Sequence, residues 1–155
     1  MPDAPNEDLT RQLQHPGPTT AHAPTPTGGS AEVVSRNGDR YAAEIERVEV
    51  THAAPVADLG AAAERIARQV DVVGPLQPWE IAPGEQAILR STQPTTDAEG
   101  VGYWEATVTS DRTTVQPWHK NHADPDREPA PEPLLHRDVG KLTDQLSRAV
   151  EPDNV

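Results

Sequence analysis

The chain has 155 residues and carries 25 acidic against 13 basic side chains, a net charge of −12 at neutral pH. Leucine, isoleucine and valine together number 27, phenylalanine and cysteine are absent, and proline reaches 17. Low aliphatic content with high net charge is the composition of a disordered chain, although this length also leaves room for a small folded unit between disordered flanks.

Several classes drop out on the same figures. Neutralising nucleic-acid phosphates needs a surplus of Lys and Arg, and an anionic membrane surface asks for the same, so neither is an expected partner. No run of about 18 apolar residues is present to span a bilayer. The first residues lack a basic stretch followed by an apolar one, so no secretory signal is expected and the default setting is the cytoplasm. Without cysteine there is no disulfide framework, thiolate nucleophile or cysteine-based zinc site. The cations are 11 Arg against Lys120 and Lys141 alone. That bias fits a GC-rich bacterial or archaeal genome or adaptation to salt, and the acidity is spread along the whole chain.

Residues 1–30 hold six prolines and only Leu9 and Leu13 as large aliphatics. Such a segment offers little apolar surface against about 1–2 kcal/mol of backbone entropy per residue, and a disordered arm is expected. Residues 31–56 are ambiguous. Asn37-Gly38 is a hairpin signal, and Tyr41, Ala43 and Ile45 alternate before Val48 and Val50 continue in the opposite phase, which in a strand requires a bulge near Glu46-Arg47.

The folded core is expected over 57–120. Asp58 is a suitable N-cap, and Leu59, Ala62, Ala63, Ile66, Ala67, Val70 and Val73 share one helical face, which Gly74-Pro75 terminates. An antiparallel meander of about four strands follows. In it Trp104, Ala106 and Val108 alternate with Tyr103, Glu105, Thr107 and Thr109, and Pro117 calls for an edge or a bulge. All three tryptophans (Trp79, Trp104, Trp118) fall in this region, where large side chains can build a small core. Residues 121–133 read as a proline-rich linker. Over 134–150, Leu135, Val139, Leu142, Leu146 and Val150 form an amphipathic helical stripe, and 151–155 is a disordered tail. The expected fold class is therefore α+β: one helix, a small meander and a C-terminal amphipathic helix, with disordered flanks.

Chemistry-bearing patterns are sparse. His119, His122 and Asp124 lie close in sequence and could contribute to a divalent-metal site, yet they run from a strand end into the linker, with nothing to hold the ligands in place. Gly100-Val101-Gly102 precedes a strand, whereas a dinucleotide-binding loop follows one, and Glu80 and Glu105 read as solvent-face residues. No cofactor and no catalytic residue are assigned. The expected function is a non-enzymatic, acidic protein-binding, adaptor or chaperone-like module. It would engage a protein partner, or itself, through Trp118 at a sheet edge or through Leu135, Val139, Leu142, Leu146 and Val150. Small acidic export chaperones share this size, charge and make-up, a likeness of class that no motif carries. A metal- or small-ligand-binding domain using His119–His122 is the alternative, and a small enzyme is a further one.

Overall fold

The computed structural model describes residues 4–151. Three helices, α1 (Ala4–Leu13), α2 (Leu59–Gln69) and α3 (His136–Val150), accompany ten strands: β1 (Thr19–Pro24), β2 (Ser30–Gly38), β3 (Ala42–Thr51), β4 (Leu76–Ala82), β5 (Gln86–Ser91), β6 (Thr95–Thr96), β7 (Gly100–Val108), β8 (Arg112–Asn121), β9 (Arg127–Pro129) and β10 (Glu132–Leu135). The strands form one antiparallel sheet in the order β1-β2-β3-β8-β7-β5-β4, with β6 on β7, β9 on β8 and β10 on β3.

This α+β fold corrects the expected architecture. The sheet is large rather than a four-stranded meander, and the supposed flanks take part in it. The N-terminal arm supplies α1 and β1, the ambiguous 31–56 segment supplies β2 and β3, and the linker supplies β9 and β10. Leu9 and Leu13 are buried on the inner side of α1, and Ala21 and Ala23 of β1 join the core. Alanine and threonine register weakly as core formers, but in a strand their alternate positions still face one way. Residues 1–3 and, apart from Glu151, the expected tail 151–155 lie outside the described residues.

Local chemistry sets the two longer-read helices. Asp58 caps α2, its carboxylate accepting the Ala61 N–H at 3.0 Å. Leu59, Ala62, Ala63 and Ile66 are buried, but α2 ends at Gln69, with Val70 as its cap, rather than at Gly74-Pro75; Gly74, in the left-handed region at φ 83°, turns the chain toward β4 instead. Val139, Leu142, Leu146 and Val150 of α3 are likewise buried, in one cluster with Ile45, Val48 and Val50 of β3. The arginine Nε–H of Arg65 donates to the Ala149 carbonyl at 2.6 Å, satisfying one of the free carbonyls at the end of α3. All three helices pack on one face of the sheet, α1 over β1, α3 over β3 and α2 over β4 and β5.

Two of the irregularities in the sheet set its centre. Pairing jumps from Val34↔Arg47 to Ser35↔Ile45, so Glu46 is the bulge residue demanded by the change of phase. The second is a fork. The first half of β8 pairs with β3 through Val115, and its second half pairs with β9 from Trp118. Pro117 lies between these two partners, where its missing N–H interrupts neither ladder. The β10 strand fills the other arm of the fork by pairing with Ala42–Ile45 of β3. Gly100 opens β7 against β8 so closely that an added Cβ would overlap the Lys120 carbonyl oxygen, which explains one glycine of the Gly-Val-Gly run. His52 ties the end of β3 to β8: its Nδ1–H donates to the Ser110 carbonyl at 3.1 Å, leaving Nε2 to accept the Thr113 hydroxyl at 2.8 Å.

Because α3 fills the centre of the helix layer, it is part of the core. Leu146→Ala is expected to lower unfolding free energy by about 2–5 kcal/mol, measured by urea or thermal denaturation.

Candidate functional site

Among the described residues no helix covers the other face of the sheet, and its two halves differ. On β1, β2, β3 and the start of β8 the outward side chains pair charge with charge. Arg47 bridges Glu32 and Glu49, each at 2.9 Å, and Arg36 meets Glu44 at 2.6 Å. Pairs that keep contact with water contribute little individually, and these, from the exposed Arg36 to the half-buried Arg47, leave a polar surface.

The half formed by β4, β5, β7, β8 and β9 is built from aromatic rings and guanidinium groups. Strand register places Gln77 opposite Arg90, Arg90 opposite Glu105 and Tyr103 opposite Trp118, all pointing away from the helices. Trp79 is the bulge residue of β4, skipped between Pro78↔Leu89 and Glu80↔Ile88, and the bulge aims it at the same face. The Arg90 guanidinium lies 4.6 Å from the Trp79 ring centre and 5.2 Å from that of Tyr103. The Arg127 guanidinium lies 3.9 Å from the Trp118 ring centre and donates to the Tyr103 hydroxyl at 3.1 Å. Cation–π contacts of this type contribute about 0.5–1 kcal/mol each at exposed positions.

Glu105 holds this ladder together. Its side chain is only 6% exposed, and both oxygens accept from Arg127 at 2.9 Å while Oε1 also accepts the Arg90 Nε–H at 2.8 Å. Burial by itself pushes the carboxyl pKa up, but the hydrogen bonds and charges of Arg127 and Arg90 outweigh it, so Glu105 titrates below the usual carboxylate range. The same contact raises the pKa of Arg127 further.

Beside the ladder, Trp79, Arg90, Tyr103, Val101, Pro94 and Gln77 line a cavity of about 410 Å³. Trp79 is 64% exposed at its mouth. The cavity adjoins β4, one of the two outer strands of the sheet. The opposite outer strand, β1, is blocked at its middle: the Gln12 side chain donates to the His22 carbonyl at 2.8 Å and accepts the His22 N–H at 3.0 Å, copying the hydrogen bonds of a neighbouring strand at that residue. On β4, Pro78 and the bulge shorten the free edge without covering it.

The residues singled out from sequence fall in different places. Trp118 is half-buried on an interior strand, under Arg127 rather than at an edge. None of the three tryptophans is fully buried. Trp104 packs against the rim of the core, and Trp79 and Trp118 belong to the ladder. Val139, Leu142, Leu146 and Val150 are buried within the chain, whereas Leu135, just before α3, is exposed. His119 lies 3.6 Å from Asp97, whose carboxylate is held below its ordinary range by the N–H groups of Gly100 and Glu99 and then by His119. His122 and Asp124 are exposed in the turn after β8, and among the described residues no group of three or more His, Asp or Glu comes together to hold a metal. Glu105 is buried rather than solvent-facing, because Arg127, from the segment read as a linker, returns across it.

No helix among the described residues is long and apolar enough to cross a membrane. Comparison with known protein families, curated proteins and solved structures finds no match to this chain.

A carboxylate with a depressed pKa in the folded state adds stability above its unfolded pKa, and that stability is lost as pH falls through the folded value. Glu105→Gln is therefore expected to lower the melting temperature at neutral pH and to flatten its decline between about pH 5 and pH 3, measured by thermal unfolding across that range.

Proposed function

We propose that the chain is a non-enzymatic protein-binding module of adaptor or chaperone-like type, which captures a short extended segment of a partner protein. The observation that carries this reading is the largely exposed Trp79, standing over the cavity between Arg90 and Tyr103 on the face no helix covers. The captured segment places one aromatic or aliphatic side chain in the cavity, against Trp79, Pro94 and Val101, and runs beside β4. There the broken edge provides a few backbone hydrogen bonds, and the cavity provides selectivity.

Three features support the choice of occupant. Tryptophan, tyrosine and arginine are the residues most enriched where binding energy concentrates, and here the arginines are held by Glu105 before any partner arrives. The charge-paired half of the same face has no comparable anchor. Of the two outer strands, β1 has its backbone engaged at His22 by Gln12, whereas β4 has no strand on its outer side among the described residues. A cysteine-free chain suits the reducing cytoplasm, where disulfides are rare.

Peptides selected by display against the full chain are expected to bind so that Trp79→Ala weakens them at least about tenfold, read by fluorescence anisotropy. Their amide-shift changes should cluster at Gln77, Trp79, Arg90 and Tyr103. Selected peptides that bind Trp79→Ala as tightly as the parent chain would refute the reading.

A further inference from the structure

A second, independent surface lies at the rim of the helix layer, where α1, the β2–β3 turn and the start of α3 enclose a groove of about 780 Å³. Three guanidinium groups converge on it, Arg11 from α1, Arg40 from the turn and Arg137 from α3, against Glu7 as the one lining carboxylate. In a chain of net charge −12 this is a local reversal of sign. Arg11 is paired with Asp8 at 2.9 Å, but Arg40 and Arg137 form no ion pair among the described residues. Asp39, the nearest acid in the turn, already accepts the N–H groups of Tyr41 and Ala42 at 2.7 and 3.0 Å. Asp138, in the first turn of α3, does not line the groove.

The groove is also apolar. Tyr41 is 63% exposed and Leu135 41%, and both line it. At the same place α3 starts without a side-chain cap; its first N–H, that of His136, donates to the Tyr41 carbonyl at 3.2 Å, and the positive end of the helix dipole favours an anion beyond it. His136, 5% exposed, lines the groove as well. Its Nε2–H donates to the Asp39 carbonyl at 2.6 Å, and its Nδ1 is the one buried side-chain nitrogen or oxygen among the described residues that lacks a partner. A buried polar atom left unmatched is uncommon; with Nε2 donating, Nδ1 carries a lone pair that only a donor such as an N–H can meet, not a carboxylate.

We propose that this groove docks an acidic segment of a protein partner, its carboxylates on Arg40 and Arg137 and an aliphatic or aromatic side chain between Tyr41 and Leu135. A bare anion such as phosphate would leave Tyr41 and Leu135 unused, and a purely apolar segment would leave the charges of Arg137 and of Arg40, which donates to the Tyr41 hydroxyl at 2.7 Å and lies 4.9 Å from its ring centre, without a counter-charge. The overall negative charge opposes nucleic acid. It does not oppose a peptide whose few carboxylates reach only this groove, because charges farther away than about 10 Å are screened at ordinary ionic strength.

The test uses the full chain and a fluorescein-labelled peptide of alternating glutamate and leucine. Controls are the same peptide with glutamine for glutamate, and inorganic phosphate as competitor. The glutamate peptide is expected to bind, with affinity falling as salt rises. Arg40→Gln combined with Arg137→Gln should weaken it about tenfold, since each exposed guanidinium–carboxylate contact contributes a few-fold. Arg68→Gln, which removes the same charge from the exposed side of α2, should have no effect. Both arginines of the double variant are exposed, so its melting temperature should match that of the parent. Equal binding of the glutamine peptide, unchanged affinity in the double variant, or displacement by phosphate at concentrations that match the peptide's own would each overturn the proposal. So would a dimer that the double variant dissociates, which would show the occupant to be a second copy of the chain.

Discussion

The supply of large apolar side chains governs this structure. With 27 leucine, isoleucine and valine residues, no phenylalanine, and no tryptophan in the buried cluster, there is not enough apolar material to cover both faces of a sheet this wide. The chain covers one face and does so sparingly. Alanine lies between the valines at Ala21, Ala23, Ala31, Ala43, Ala87 and Ala106, and these short side chains bring the helix layer close to the sheet. Leucines from all three helices fill the remaining space, so even α1, with little beyond Leu9 and Leu13 to contribute, is needed to complete the layer.

A face without helices has to be held by something other than burial, and the two halves of this sheet do so differently. Where β1, β2 and β3 run, arginine and glutamate alternate across strands and stay in water. Where β4, β5, β7 and β8 run, rings shelter the charges. Arg90 and Arg127 stack on Trp79, Tyr103 and Trp118, and their charges meet on Glu105. Two cations on one anion leave the cluster with a net positive charge while every buried hydrogen-bonding atom of Glu105 is engaged. That arrangement avoids the usual weakness of buried ion pairs, in which desolvation exceeds attraction unless the hydrogen bonds are complete. It also leaves the tryptophan at the outer end of the row, Trp79, with only one neighbour stacked on it.

Much of this was legible wherever residues near in sequence determine the structure. The Asp58 cap and the apolar stripe of α2, the stripe of α3, the bulge at Glu46 and the alternation of Tyr103–Thr109 are local patterns. Partners distant in sequence were not legible. Arg127 meets Glu105 across 22 residues, and nothing in its proline-rich neighbourhood indicates a strand, because β9 needs only three residues at the fork. The helix α1 and the strand β1 were hidden for a different reason. Their contribution rests on Leu9, Leu13, Ala21 and Ala23, too little to fold alone but sufficient once β2 and α3 provide the rest of the surface. The tryptophans misled in the opposite direction: size suggests burial, but on a ladder of arginines a large ring is stable with one side in water.

The surplus of acid takes on a different meaning beside these surfaces. A sheet with one uncovered face, an outer strand left unpaired and an exposed tryptophan is shaped to associate with further strands, including those of another copy. Here Gln12 occupies the backbone of β1 at His22, and Pro78 and the bulge at Trp79 break β4 into pieces too short for a long ladder. Repulsion between copies, each of charge −12, acts on whatever edge remains. The two concave surfaces lined by arginine are the exceptions to that charge, and an acidic background confines attraction to them. The acidity, spread along the chain, acts against association of a partly uncovered sheet whose tryptophan is exposed.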